Sequence, residues 1–141
     1  MQTKPPSTIL ALDVGERRIG VARATTMARL ASPLVTIERG PHTMDDIRKL
    51  VSDEGATTLV VGLPRGLNGQ STEQTRTVQA FGDELAAALS MPVHWQDEAV
   101  TSRQAEAELQ SRGKPYAKGD IDALSAVYIL EDFLRDNPED V

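Results

Sequence analysis

Apolar positions along this chain fall into short unbroken runs and helical stripes that succeed one another closely. Thr8–Val14 is almost continuously apolar, with Asp13 near its end. Such a run predicts a strand covered on both faces. Gly15-Glu16 then predicts a tight turn. In Arg18–Ala24, Ile19, Val21 and Arg23 alternate with small residues, which suits a hairpin partner. Leu34–Glu38 reads as a third strand, and the three fit an antiparallel meander.

Beyond the meander the period changes from two to about 3.6. Thr43 is placed to cap a helix to about Glu54, with Ile47, Leu50 and Val51 at helical spacing. Thr57–Leu63 is another apolar strand, stopped by Pro64, and Arg65–Gln70 carries two glycines and reads as a loop. Ser71 with Gln74 matches a capping box. The helix it opens has Val78, Phe81, Leu85, Ala88 and Leu89 on one stripe. Pro92–Gln96 is a short strand. Thr101 with Gln104 is a second capping box, opening a helix to about Ser111. Asp120 is placed to cap a last helix from Ile121 to about Asp136, whose middle, Ala126–Leu130, is apolar on nearly every side. The order β-β-β-α-β-α-β-α-α predicts one α/β domain over residues 1–141. Its mixed five-stranded sheet would hold the meander, then parallel strands, with helices on both faces. Residues 1–7 and 137–141 read as loose tails.

Composition narrows the chemistry. The 141 residues include no cysteine, which excludes disulfides, thiolate zinc sites and cysteine nucleophiles. With only His42 and His94, a histidine-rich metal site is not expected, and carboxylates stay open as ligands for a hard metal. The net charge of −6 opposes nucleic acid unless binding is local or cations intervene. Local clusters exist: Arg17, Arg18 and Arg23, then Arg112, Lys114 and Lys118. No apolar stretch approaches the roughly 20 residues of a membrane span, so a soluble cytoplasmic protein without a membrane partner is expected.

Three acidic positions stand out. Asp13 ends an apolar strand beside a glycine, where a carboxylate is costly unless it is paired or holds a cation; an Asx turn at Gly15 is the simpler use. Asp97-Glu98 follows a strand, at the kind of edge where α/β sheets bind ligands; a pair of solvated acids before a helix explains them equally well. Asp122 sits in the first turn of the last helix, with the small Ser125 and Ala126 on the turn beyond; a helix-dipole acid is its ordinary reading. If the fold gathers all three, their repulsion requires a counter-ion. Mg2+ or Mn2+ suits all-oxygen ligands, and two such ions can activate water and stabilise the leaving oxygen of a phosphodiester.

The run Asp13-Val14-Gly15-Glu16-Arg17-Arg18-Ile19-Gly20-Val21-Ala22 resembles the opening motif of the YqgF/RuvX family. So do Val60-Val61-Gly62-Leu63-Pro64 with Gly69, Phe81 and Leu85; Asp97-Glu98 with Thr101 and Ala105; and Lys118 with Asp122, Ala126 and Ile129-Leu130-Glu131. The blocks keep the family's order from about residue 9 to 134. The resemblance implies an RNase H-like fold and a likeness to Holliday-junction resolvases. It also implies a nuclease that processes the 5′ end of precursor 16S rRNA in ribosome maturation. Carried over by position, Asp13, Glu98 and Asp122 are the implied catalytic and metal-binding residues. The chain departs from the family at Ala99, where arginine is common; that removes a contact to substrate more than one to metal.

Supporting positions follow. Arg17 and Arg18 flank the Asp13 turn and suit phosphate clamps. Arg65 and Asn68 lie in the glycine-containing loop, a candidate substrate loop. Lys114, Tyr116 and Lys118 form a basic loop with one aromatic, a pattern that can stack a base and hold a backbone; Lys118 also belongs to a matched block. His42, His94 and Trp95 read as structural. The expectation is a metal-dependent endonuclease on structured RNA. A resolvase of four-way DNA would use the same acids and a symmetric dimer, and monomer and homodimer both stay open. A non-catalytic RNA-binding or transcription antitermination factor is a third reading. An actin-like ATPase would need two such domains around the nucleotide, for which 141 residues are too few.

Overall fold

The computed structural model describes residues 5–66, 68–98 and 101–138; the side chains of residues 101–103 are outside that description. Strands β1 (Thr8–Val14), β2 (Arg18–Thr25) and β3 (Ser32–Glu38) are followed by helix α1 (Thr43–Glu54) and strand β4 (Ala56–Pro64). Helix α2 (Glu73–Leu89), strand β5 (Val93–Glu98) and helices α3 (Thr101–Ser111) and α4 (Lys118–Asp136) complete the chain. The sheet order is β3-β2-β1-β4-β5. The β3-β2-β1 part is antiparallel, and β4 and β5 run parallel to β1.

The apolar run of β1 is explained by what covers it. Ile9 and Ala11 face α3 and α4. Leu10, Leu12 and Val14 face α1 and α2. Each large side chain buried this way contributes about 1.5–3 kcal/mol, so a strand apolar on both faces settles in the centre of the sheet. Asp13 follows the Ile9–Ala11 alternation and therefore lies on the α4 face. Residues 126–130 of α4 are buried apart from the half-buried Tyr128, whose hydroxyl donates to Glu108 Oε2 at 3.0 Å.

Several local expectations are corrected. Helix α1 is preceded by His42 with no side-chain cap; Thr43 Oγ1 instead donates to the Gly40 carbonyl at 2.8 Å, closing the turn before the helix. The α2 cap is Thr72 and not Ser71. Its Oγ1 accepts the Thr75 N–H, and the Thr75 hydroxyl donates onward to the Pro64 carbonyl, tying α2 to the end of β4. Asp120 does not start α4: it lies one turn in and accepts the Ala117 N–H at 2.9 Å, so the helix begins at Lys118. The cap expected from Thr101 lies outside the described side chains. Strand β5 reaches two residues further than its apolar pattern, because Asp97 and Glu98 pair with Leu63 and Pro64 of β4. Asp97-Glu98 is thus strand and not loop.

Candidate active site at the carboxyl edge of the sheet

The parallel strands β1, β4 and β5 end at one edge, where Asp13 and Glu98 stand. Neighbouring strands leave room around Asp13. Gly20 of β2 is its register partner. A Cβ on Gly20 would overlap the backbone carbonyl of Asp122, so the glycine is what lets α4 lie against β2 at this level. On the other side, Gly62 follows Val61, the partner of Leu12. A Cβ there would press on Ile129 Cδ1 of α4 and lie 3.4 Å from Glu98 Oε2. Two glycines thus bare the α4 face of the sheet beside Asp13.

Asp13 and Glu98 share a side-chain hydrogen bond. The Asp13 carboxyl is pushed well above the ordinary carboxylate range. Burial is the first cause, followed by the charge and hydrogen bond of Glu98 and then by the charge of Asp122. A carboxyl set against another carboxylate favours its protonated form, because two bare charges in contact repel. Asp122 is held differently. Arg18 Nε donates to its Oδ2 at 2.6 Å, with both side chains about three-quarters buried, and this contact keeps the Arg18 guanidinium charged. Among the described residues, no three acidic or histidine side chains are gathered closely enough to hold one metal ion together. Asp122 lies within electrostatic reach of Asp13, but its carboxylate is turned to Arg18.

The other expected positions divide. Arg17 is exposed, and its carbonyl accepts the Arg39 N–H at 2.8 Å. Arg65 joins the edge: Nε donates to Asp97 Oδ1 at 3.1 Å and Nη1 to Ser71 Oγ at 2.8 Å. Asn68 is exposed in the 65–71 loop, its N–H donating to Gln70 Oε1 at 2.9 Å. Lys118 is exposed at the start of α4. Ala99, the departure from the family pattern, lies outside the described residues. His94 lies edge-on to Phe133, and Trp95 packs over Gly82.

Sequence reasoning missed Arg39. Its Nη1 donates to the Gly15 carbonyl at 2.7 Å and its guanidinium lies 4.9 Å from the Phe81 ring centre. It braces the turn that follows Asp13. The only signal was a cation directly after the third strand, which is too common to read. Among the described residues, no helix is long and apolar enough to cross a membrane.

Known proteins match along nearly the whole chain. The family described as "RuvX: Holliday junction resolvase" matches residues 7–136. A protein of Chloroflexus aurantiacus named "Putative pre-16S rRNA nuclease" is 46% identical over 137 residues, covering 92% of this chain and 90% of its own. One of Dechloromonas aromatica with the same name is 43% identical, covering 88% of each chain. Among solved structures, Thermus thermophilus RuvC in complex with a Holliday junction substrate superposes with a TM-score of 0.57 at 17% identity, over 93% of this chain and 96% of that one. At that identity the likeness concerns the fold, which is RNase H-like. With a family match that runs from one tail to the other over this sheet order, the chain belongs to the RuvX family.

Proposed function

We propose that this protein is a nuclease that hydrolyses phosphodiester bonds in structured RNA, with the 5′ end of precursor 16S rRNA as its substrate. Asp13, Glu98 and Asp122 are its catalytic carboxylates. The observation that carries this reading is the Asp13–Glu98 pair: two acids in hydrogen-bond contact at the carboxyl edge, one with its pKa driven up, in a space kept bare by glycines. Structural acids rarely face each other without a cation between them. The names of the curated relatives support the RNA substrate, and action on a ribosomal precursor would fit a cytoplasmic reaction.

The donor set consists of carboxylate oxygens, which fits Mg2+ or Mn2+. Asp13 and Glu98 would hold the ion, and Asp122 would join them once Arg18 lets its carboxylate go. A divalent ion bound there supplies Lewis-acid activation of water and of the scissile phosphate. The protein's own part is positional. Asp13, whose pKa is raised, would give up its proton for the pair to take a cation. Arg17, in the turn after Asp13, and Lys118, at the start of α4, are exposed and supply phosphate-binding charge. Arg65 and Asn68 present the 65–71 loop to the substrate, and Arg39 holds the Asp13 turn in place.

Four-way DNA is the second reading, favoured by the family's description; cutting two strands in concert would need a symmetric dimer. The test is cleavage by the purified protein and by Asp13→Asn, on a precursor 16S rRNA 5′-leader fragment and on a four-way junction. Each is run with magnesium, manganese or chelator. Metal-dependent cutting of the RNA that Asp13→Asn abolishes is the expected result. Cutting of the junction alone transfers the substrate to DNA. Binding of either without cutting overturns the nuclease reading in favour of an RNA-binding factor.

A further inference from the structure

A hollow of about 500 Å3 beside Gly15 is rimmed by Glu16 and Glu73. Its one arginine, Arg39, already donates to Gly15 and covers Phe81, so it has little to offer a phosphate. A second hollow, about 380 Å3, has the opposite character. It lies beside the first turns of α4, where the end of α3 and the connector after it meet the start of β3.

Its walls combine an aliphatic floor with an aromatic and two cations. Pro33 and Leu124 belong to the floor. Half-buried Tyr116 packs against the α4-side core. Arg112 and Lys114 stand exposed on its rim. The neighbouring acids are already engaged. Asp120 accepts the Ala117 N–H at 2.9 Å. Glu108 pairs with Arg112 at 3.3 Å across side chains 42% and 53% exposed. An ion pair that open to water is weak, so Arg112 can exchange it for a phosphate.

We infer that this hollow is a subsite for a nucleotide flanking the scissile bond. The base would lie on Tyr116 and the aliphatic floor, and its phosphate would meet Arg112 and Lys114. Stacking on an aromatic beside a cationic rim is how single-stranded nucleic acid is held without base-specific hydrogen bonds. Its place suits the role. Asp120, Ala123 and Leu124 border the hollow, and Asp122 lies on the same turns of α4. The subsite and the Asp122 carboxylate are separated by about one helix width, roughly 10–12 Å, a gap that a few nucleotides bridge around the end of α4. The inference rests on the nuclease reading. It explains how a chain with a net charge of −6 can grip a polyanion, by gathering cations along one path.

The test is fluorescence anisotropy with a labelled single-stranded RNA dodecamer and the DNA of the same sequence, in chelator so that neither is cut. Lys114→Glu should weaken RNA binding several-fold, and Lys114→Ala should lower the salt slope by about 1. Tyr116→Ala should weaken binding about fivefold or more. Lys49→Glu makes the same change in net charge on α1, where Lys49 pairs with Asp53, and should leave binding unchanged. Equal losses for Lys114→Glu and Lys49→Glu, or no loss in either, overturn the subsite. Should Tyr116→Ala fail to fold, exposed Arg112→Ala takes its place. Losses on RNA and DNA alike support a base-and-phosphate subsite; a loss on RNA alone supports one that also reads the 2′-hydroxyl. If the wild type cuts RNA while Lys114→Glu leaves its KM unchanged, the subsite fails and the nuclease reading stands. If the wild type neither binds nor cuts, the nuclease reading fails and takes the subsite with it.

Discussion

Asp13 and Asp122 meet at the same level of the sheet, one as the register partner of Gly20 and the other with its backbone lying over that glycine. Their surroundings differ in sign. Asp13 is set against another acid, Glu98, and its pKa is driven up. Asp122 is set against Arg18 at 2.6 Å. One half of the edge is short of positive charge and the other already contains it. A catalytic centre that recruits cations needs the first arrangement. The second keeps Asp122 tolerable in a partly buried position when nothing is bound. The contrast also gives Arg18 a role beyond the phosphate clamp expected of it: it is the resident counter-charge of Asp122.

Replacing Asp13 should have the largest effect. Asp13→Asn is expected to lower metal-dependent cleavage more than about 100-fold, beyond what loss of a supporting group around a metal costs. The same variant should be more stable than wild type in chelator. A carboxyl with a raised folded pKa keeps its proton in the folded chain at pH values where the unfolded chain has released it. Its contribution is therefore most favourable below the ordinary carboxylate range and is lost as pH rises through the raised value. Wild-type urea midpoints should fall from the ordinary carboxylate range upward, and Asp13→Asn should flatten that fall. At neutral pH the variant should therefore unfold at a higher urea concentration than the wild type. A variant less stable than wild type at neutral pH would show that Asp13 is ionised and already compensated.

The two glycines test the space between the halves. Gly20→Ala places a methyl group into the Asp122 backbone, which cannot move without α4, and should cost about 3 kcal/mol in thermal or urea unfolding. Gly62→Ala meets mainly the end of the Ile129 side chain, which can change rotamer, and should cost about 1 kcal/mol. Equal costs would mean that α4 is no more firmly seated over β2 than over β4.

Much of this was readable from the chain because the signals were local. β1 is an apolar run broken only near its end by Asp13, and a run with no polar face sits between two helical layers. Asp13 within it was conspicuous for the same reason. Where β5 ends was hidden, since its last residues, Asp97 and Glu98, are polar and held by backbone pairing to β4 and not by burial. The α2 cap was missed by one position because Ser71 and Thr72 are both competent caps; the choice is made by the Thr75 hydroxyl reaching Pro64. The Arg18–Asp122 contact spans 104 positions, and no local pattern encodes a pair that only the α4–β2 packing creates. The glycines were visible as motif residues, but what they avoid lies on another element.

Removing the resident counter-charge addresses the second half directly. Arg18→Met should tighten manganese binding several-fold in a calorimetric titration, because Asp122 is then free to serve the ion. Lys118→Met, at the exposed start of α4, should leave it near the wild-type value. Weaker binding in Arg18→Met would reverse the assignment and make Arg18 the group that aims Asp122 at the cation.

The smallest effect is expected at the other arginine–aspartate pair of this edge. Arg65 and Asp97 are 3.1 Å apart, but the Asp97 side chain is 71% exposed, against 23% for Asp122. Water screens such a pair and competes for both partners, so Arg65→Ala should change stability by no more than about 0.5 kcal/mol. RNA affinity should fall with a shallower salt slope if Arg65 faces the substrate. The two readouts separate because Asp97, unlike Asp122, loses little when its partner goes. A stability loss above about 1 kcal/mol would mean that Arg65, through Asp97 and Ser71, anchors the 65–71 loop to the sheet, and would move it from the substrate's side of the edge to the fold's.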